Sequence, residues 1–498
     1  MADSRQQTMK ILKNKTALTG FGIILFFSII AVIAPALTPE NPVNSIGLAS
    51  PLSVPAWATV FPQYRSLPPN MQYIHGGGFT SATELSTWGF SPANNTPIDG
   101  TTGIRYEWVN PSASPANLNA PSLKIIIPPS MSMGGTTLTL TTEFTYKYSP
   151  PHRFITGFEL FIANTTTTQI PLTITIAGPS GNYTLLQQTI LTNRNTWIRI
   201  SADSASEQMI QQVTPNNPLA QVAPIVLGRA GNYSLSLTIV VPEGAGPTVV
   251  YISSASFYVY GSVYGVLGTD DQGRSVWSQF VYGSRTSLEV GLLAALLTIA
   301  LATLVGVTAG YYTGIVDEAL MRINDILLSI PVLPFLLVLI LVIDISNVKI
   351  DLNDLIILLI GLLGWQVYAR AIRSQSLSLR ERVYVQAART LGVKPRVIIR
   401  RHIIPHLTGL IFALLAQAVP TAILLQAALA YLGFFDPNIF SWGRMLGEAQ
   451  AYVVSPVSGF VWWWFLPPGV AIALVSMAFI LIGNALNEEF NPKLRERT

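Results

Sequence analysis

The sequence predicts an α-helical membrane protein that carries a large all-β domain between its first and second transmembrane helices. Mean hydropathy is +0.45 and only 11% of the 498 residues are charged, against roughly 25% in ordinary soluble domains. Six apolar runs punctuate the chain, at 18–38, 288–312, 327–344, 354–372, 407–432 and 466–485, each long enough to cross a hydrocarbon core roughly 30 Å thick. Residues 41–262 have a different texture, rich in Thr, Ser, Asn, Pro and Gly. The expected organisation is 1–40 as N-terminus and first helix, 41–262 as the insertion, and 263–498 as a core of five more transmembrane helices.

The first run, LTGFGIILFFSIIAVIA, follows Lys10, Lys13 and Lys15. Its apolar core is longer than that of a secretory signal, so it reads as an uncleaved anchor with the N-terminus inside. The 370–401 loop then also falls inside. It carries Arg370, Arg373, Arg380, Arg382, Arg389, Lys394, Arg396, Arg400 and Arg401 against the single acid Glu381, as the positive-inside rule requires. The basic tail NPKLRERT falls on the same side, both termini are expected in the cytoplasm, and Trp462, Trp463 and Trp464 are expected in an external aromatic belt.

The insertion holds only eight Lys or Arg between 40 and 262, as a translocated domain would. Eight segments alternate with period two and end in turn residues: SLKIIIP, TTLTLTTEFTYKY, ITGFELFIA, QIPLTITIAG, YTLLQQTIL, NTWIRIS, YSLSLTIVV and TVVYISSASFYVY. They predict an extracellular β-sandwich of the eight-stranded, jelly-roll-like kind with no helix. Trp197 and the aromatics of FYVYG (257–261) are open to two roles, stacking on a sugar or filling the core. Four sequons make Asn94, Asn164, Asn182 and Asn232 candidate glycosylation sites, and with the sandwich they lean toward an archaeal cell surface.

Composition excludes several activities. There is no cysteine, hence no thiol chemistry, and the four histidines are too scattered for a metal site; His402 and His406 are i,i+4, but Pro405 lies between them and no carboxylate is near. The net charge of +4 is spread in short segments beside apolar runs, which suits contact with membrane lipid rather than nucleic acid. No lysine follows a glycine, so the GxxxxGK[ST] phosphate loop is missing and the chain is not expected to be an enzyme that hydrolyses ATP. The interiors of the six runs lack ionisable residues of the kind that carry proton coupling. They offer Gln366, Gln417 and Gln426, with Pro420 as a kink, as candidate lining of a translocation path or as interhelical hydrogen-bonding groups.

The stretch YVQAARTLGVKPRVIIRRHIIP (384–405) interrupts the apolar runs. Tyr384, Ala387, Ala388 and Leu391 recur at i, i+3, i+4 and i+7, one face of a helix. Gly392 suits a left-handed terminator, and Pro395 suits the first turn of a second helix bearing Ile398, Ile399 and Ile403. The result is an elbow with a small-residue face, flanked by Arg389 and other cations.

This stretch resembles the EAA coupling loop of ABC-importer permeases: EAA, three residues, Gly, nine residues, then Ile-x-Leu-Pro. Gln386, Ala387, Ala388, Gly392, Ile404 and Pro405 match the spacing, while Gln386 replaces the acid and His402 the first Ile. LGTDDQGRSVWSQFVYGSRTSLEVG (267–291), GYYTGIVDEALMRINDILLSIP (310–331), GWQVYARAIR (364–373), AALAYLGFFDPNIFSWGRML (427–446) and NPKLRERT resemble, in order, the C-type subunit of dipeptide, oligopeptide and nickel permeases. The resemblance covers 1–40 and 262–498.

It implies the type I ABC-importer permease fold. It also implies a homologous B-type permease partner, two ABC ATPase subunits that bind ATP and Mg, and an extracellular substrate-binding protein delivering peptides or oligosaccharides. It assigns ATPase coupling to Tyr384, Gln386, Ala387, Ala388, Arg389, Leu391, Gly392 and Pro405, and it places a short interfacial helix over 267–285, for which Thr269 or Asp270 is the expected cap. The alternative is a membrane-anchored cell-surface glycan-binding or adhesion protein; the ordered motifs favour the permease.

Overall fold

A computed structural model describes residues 14–74, 87–92, 104–110, 121–128, 135–164, 168–192, 196–345, 350–455 and 459–490. Asn94, His75, Lys349, Lys10, Lys13 and the tail 491–498 therefore lie outside the described residues. The chain forms two compact units, one of Met1–Ile46 with Ser275–Thr498, the other of Gly47–Arg274.

The first unit is helical. Besides a single turn at Ala34–Leu37, its α-helices among the described residues are α1 (Lys15–Val32), α2 (Val276–Tyr312), α3 (Gly314–Ser329), α4 (Val332–Ile345), α5 (Leu352–Leu363), α6 (Gln366–Arg380), α7 (Val383–Thr390), α8 (Pro395–Ile398), α9 (Ile404–Tyr431), α10 (Trp442–Ala449) and α11 (Trp462–Phe490). Among the described residues, four segments are long and apolar enough to cross a membrane alone: Lys15–Val32, Val276–Tyr312, Pro395–Tyr431 and Trp462–Glu488.

The apolar runs 327–344 and 354–372 are not straight helices. The first is split at 87° between α3 and α4, the second at 40° between α5 and α6. Pro331 supplies no backbone N–H and drives Ile330 out of the helical region, to φ −87° and ψ 126°. At the second break a side chain on Gly364 would meet the Ile360 carbonyl at 2.9 Å and Thr298 at 3.1 Å.

Packing of α2 against α6 depends on Gly306 and Gly310, which form a G-x-x-x-G pair. A Cβ at Gly306 would lie 2.6 Å from the Ala369 carbonyl, and one at Gly310 2.6 Å from Cβ of Ser376. Small residues at this spacing let two helix backbones approach closely. Helix α3 is tied to α6 by Arg373, whose Nε and Nη2 donate to Asp317 at 2.5 and 2.6 Å, and by Arg370 to Asp325.

Two expectations are corrected here. No separate interfacial helix occupies 267–285; Ser275 caps α2 by accepting the Ser278 N–H at 3.3 Å, and the expected amphipathic face forms the first turns of this 37-residue helix. Thr269 and Asp270 are buried instead, because the Asp270 carboxylate accepts the N–H groups of Gln272 (2.9 Å) and Arg274 (2.8 Å) and pairs with the Arg274 side chain at 2.5 Å. Around Gly273, at φ +71°, this holds the chain in a turn until Ser275. Trp463 and Trp464 are fully buried, so within the tryptophan triplet they pack inside the unit, Trp464 stacking on Tyr452 at 5.7 Å.

The second unit contains eleven strands among its described residues: β1 (Met71–Ile74), β2 (Trp88–Pro92), β3 (Arg105–Val109), β4 (Ser122–Ile127), β5 (Thr136–Tyr146), β6 (Arg153–Asn164), β7 (Gln169–Gly178), β8 (Gly181–Leu191), β9 (Ile198–Asp203), β10 (Gly231–Val241) and β11 (Thr248–Tyr260). One sheet runs β3-β4-β11-β6-β9, with β1 also on β11; the other runs β2-β5-β10-β7-β8. Alternate residues of both sheets, among them Ile125, Phe158, Ile252 and Phe257 from one and Leu140, Ile174, Leu237 and Ile239 from the other, meet in one core. The eight segments read from sequence are β4 to β11. Two short helices, Glu207–Val213 and Val222–Val226, were not expected; Ser206 caps the first through the Met209 N–H, and Met209, Val222, Ala223 and Val226 join the core.

Of the aromatics with two open roles, Phe257 fills the core. Tyr258 and Tyr260 fall on the opposite side of β11, and Trp197 stands against Phe161 at 5.5 Å. Asn182 and Asn232 are exposed near the starts of β8 and β10, and Asn164 is half-buried at the end of β6.

Candidate functional site

The elbow is built by local chemistry. Helix α7 ends at Gly392, whose φ of +76° only glycine adopts freely. The Gly392 N–H donates to the Arg389 carbonyl at 3.0 Å and the Val393 N–H to the Ala388 carbonyl at 3.1 Å, the paired bonds of a Schellman cap. Pro395 then opens α8, which runs through a π turn at Ile399–Ile403 into α9.

Val385, Ile398 and Ile403 are buried and anchor the elbow to its own unit. The face read from sequence points the other way: Ala387 is exposed, Ala388 half-buried, Tyr384 40% and Leu391 82% exposed. The Tyr384 ring stacks on His406 at 5.4 Å and lies 6.2 Å from His402, so both histidines brace the elbow. Pro405, also exposed, sits in the first turn of α9.

Electrostatically the elbow is a cation surface. Arg382, Arg389, Lys394, Arg396, Arg400 and Arg401 are exposed and have no ion-pair partner among the described residues. The nearby acid Glu381 pairs with Arg380 at 3.4 Å and accepts from Gln386 Nε2 at 3.2 Å. Gln386, which departs from the family acid, thus holds that carboxylate.

A second feature lies within the helices. Gln366, Gln417 and Pro420 line one cleft of about 750 Å³, together with Tyr368, Thr421 and Asn484. Gln426 is not part of it; its side chain is buried and donates to Ser441 Oγ at 2.8 Å. Asn324, which sequence reading passed over, is fully buried beside the cleft. With its amide turned to suit both neighbours, it donates to the Gln366 carbonyl at 3.0 Å and accepts from Arg370 Nε at 3.2 Å. The signal for it was a lone amide within the amphipathic α3, and Pro331 and Gly364 were the signals for the breaks that form the cleft.

Comparison with known proteins fits this arrangement. Residues 302–496 match the family model of the binding-protein-dependent transport system inner membrane component, and residues 6–69 match the N-terminal TM domain of oligopeptide transport permease C. The dipeptide transport system permease protein DppC of Bacillus subtilis (strain 168) is 34% identical over 229 residues, 46% of this chain and 68% of that protein. The oligopeptide transport system permease protein OppC of the same organism is 34% identical over 230 residues, 46% of this chain and 72% of that protein. Among solved structures, the inward-facing MetNI methionine ABC transporter aligns with a TM-score of 0.33 at 18% identity, over 42% of this chain and 96% of that one.

The helical unit is thus a membrane permease of the type I ABC-importer class. The chain belongs to the family of dipeptide and oligopeptide transport permeases, as a C subunit.

Proposed function

We propose that this chain is one half of the translocation path of an ATP-driven peptide importer. It pairs with a homologous B-type permease, and its elbow docks on one of two ATPase subunits that bind ATP and Mg and do the hydrolysis. An extracellular substrate-binding protein delivers the cargo. The observation that carries this reading is the exposed, Schellman-capped elbow with an Ala387–Ala388 face, lying inside the segment matched to the permease family. Rigid packing of such an elbow transmits displacement without catalytic groups, so the chain itself is not an enzyme. The named cargoes of its relatives, dipeptides and oligopeptides, support peptide as substrate.

In this reading each bent pair counts as one crossing, which makes six spans with the four straight ones. Both termini are cytoplasmic and the β unit is extracellular, consistent with the basic loop at 370–401. The β unit is a jelly roll: counted from β4, its strands order as 1-8-3-6 and 2-7-4-5, consecutive strands repeatedly changing sheet. It stabilises docking of the binding protein or shields the external mouth, and its exposed Asn182 and Asn232 are the sequons most open to glycosylation.

The test is reconstitution of the four-component complex in vesicles with its binding protein, assayed with labelled peptides and oligosaccharides. ATP-dependent peptide uptake supports the reading; uptake of oligosaccharides alone overturns the peptide assignment, and ATP-independent flux overturns the importer.

A further inference from the structure

Both helix breaks open on the same cleft. Ile330 and Val332 line it from the 87° bend, and Leu363, Gly364 and Gln366 from the 40° bend. Irregular backbone at membrane depth is tolerated where it lines a cavity, and half-helix ends there commonly mark substrate contacts. Pro420, on the α9 wall, leaves the Ala416 carbonyl without its helical donor and adds to the polar backbone available near the cleft.

The lining has a definite chemistry. None of its described residues is charged, and the side chains of Leu424, Leu425 and Ile480 give it apolar walls. A fixed ionic group or a metal ion would find no counter-charge there. Gln366 is only 5% exposed, yet its side-chain amide has no hydrogen-bond partner among the described residues, although its backbone carbonyl is engaged by Asn324. Unlike the sealed Gln426 Oε1, the Gln366 amide is not shut away from solvent: it lines the cleft without a protein partner and is open to a hydrogen-bonding group that enters it. Gln366 is also the first residue of α6, held at the break by Asn324 and by the ion pairs between α3 and α6. Its position is fixed while its hydrogen-bonding capacity stays open.

We propose that Gln366 is a substrate-contacting residue whose side-chain amide pairs with a backbone peptide group of the passing cargo. The match is geometric: a carboxamide carries an acceptor and two donors side by side, and a peptide group offers the complementary N–H and C=O. Reading the backbone leaves the cargo's side chains against the leucine and isoleucine walls, so the contact serves peptides of varied sequence. This rests on the peptide-importer reading above and adds to it the group that is recognised.

The experiment uses the complete importer in vesicles with its binding protein. Gln366→Leu is expected to lower the uptake rate of neutral tripeptides about tenfold, the scale of a lost hydrogen-bonding contact, while ATP hydrolysis stimulated by the loaded binding protein stays at the wild-type level. Gln366→Glu is expected to shift preference toward lysine-containing over glutamate-containing tripeptides. Wild-type uptake by Gln366→Leu overturns the proposal, and so does a parallel fall of uptake and ATP hydrolysis, which marks a merely structural role. A wild-type complex that moves no peptide overturns the cargo reading itself.

Discussion

The N–H of Val393 donates to the carbonyl of Ala388 at 3.1 Å, closing the chain over Gly392 and setting the angle between α7 and the helix that follows. The same bond fixes which way the Ala387–Ala388 face looks. The proposed coupling requires a surface that holds its shape, and the cap supplies that stiffness without burying the face.

Gly392→Pro therefore removes two things at once. Proline fixes φ near −65° and lacks the N–H that bonds Arg389, whereas the native φ is +76°. The cost is about 3 kcal/mol or more, concentrated on the elbow. The variant is expected to insert in the membrane but to lose substrate-stimulated ATP hydrolysis, measured on the purified complex.

Replacing Ala387 and Ala388 together by Trp tests the surface rather than the shape. Ala387 is exposed and Ala388 half-buried, so bulky rings there are expected to leave the permease folded and to block copurification of the ATPase. Size-exclusion profile and pull-down, run in parallel, separate those effects.

Gly306→Leu addresses the bundle. Its Cβ would begin 2.6 Å from the Ala369 carbonyl, which is backbone and cannot move aside. Overpacking of this kind costs about 1–3 kcal/mol or more. The expected outcome is a lowered melting temperature and a broadened chromatographic peak in detergent, with an exposed-face change such as Leu304→Ala as the unaffected control.

The β unit has its own pH response. Burial pushes the His152 imidazole below its ordinary value of 6.5, so the unfolded chain takes up that proton first as pH falls. The contribution is unaffected above about 6.5 and stability then declines as pH drops toward the folded-state value. Chemical unfolding of the full chain, followed by tyrosine and tryptophan fluorescence between neutral and mildly acidic pH, is expected to show this decline, and His152→Gln to reduce it.

Much of this was legible because local rules were strong. Period-two alternation gave β4 to β11, but β1, β2 and β3 are four or five residues long, too short for a clear alternation. The elbow was legible since Gly392, Pro395 and the Ala-Ala pair act within a few residues of one another. The cleft was not: 327–344 and 354–372 read as plain spans by hydropathy, which averages over a single Pro331 or Gly364. Contacts between distant positions, such as Arg373 with Asp317 or Gly306 with Ala369, leave no mark at the spacing a local pattern can detect. Thr269 and Asp270 were misread as caps because residues that cap helices also close turns, and the bond to Arg274 decided between the two.

The central claim is that the elbow is the contact through which an ATPase moves this permease. A photo-crosslinking residue placed at Ala387 in the assembled importer tests it most directly, with one at the exposed Leu292 of α2 as comparison. The account predicts an adduct of this chain with the ATPase from position 387 and none from 292. An ATPase adduct from neither position, in a complex that still hydrolyses ATP in response to substrate, would contradict it.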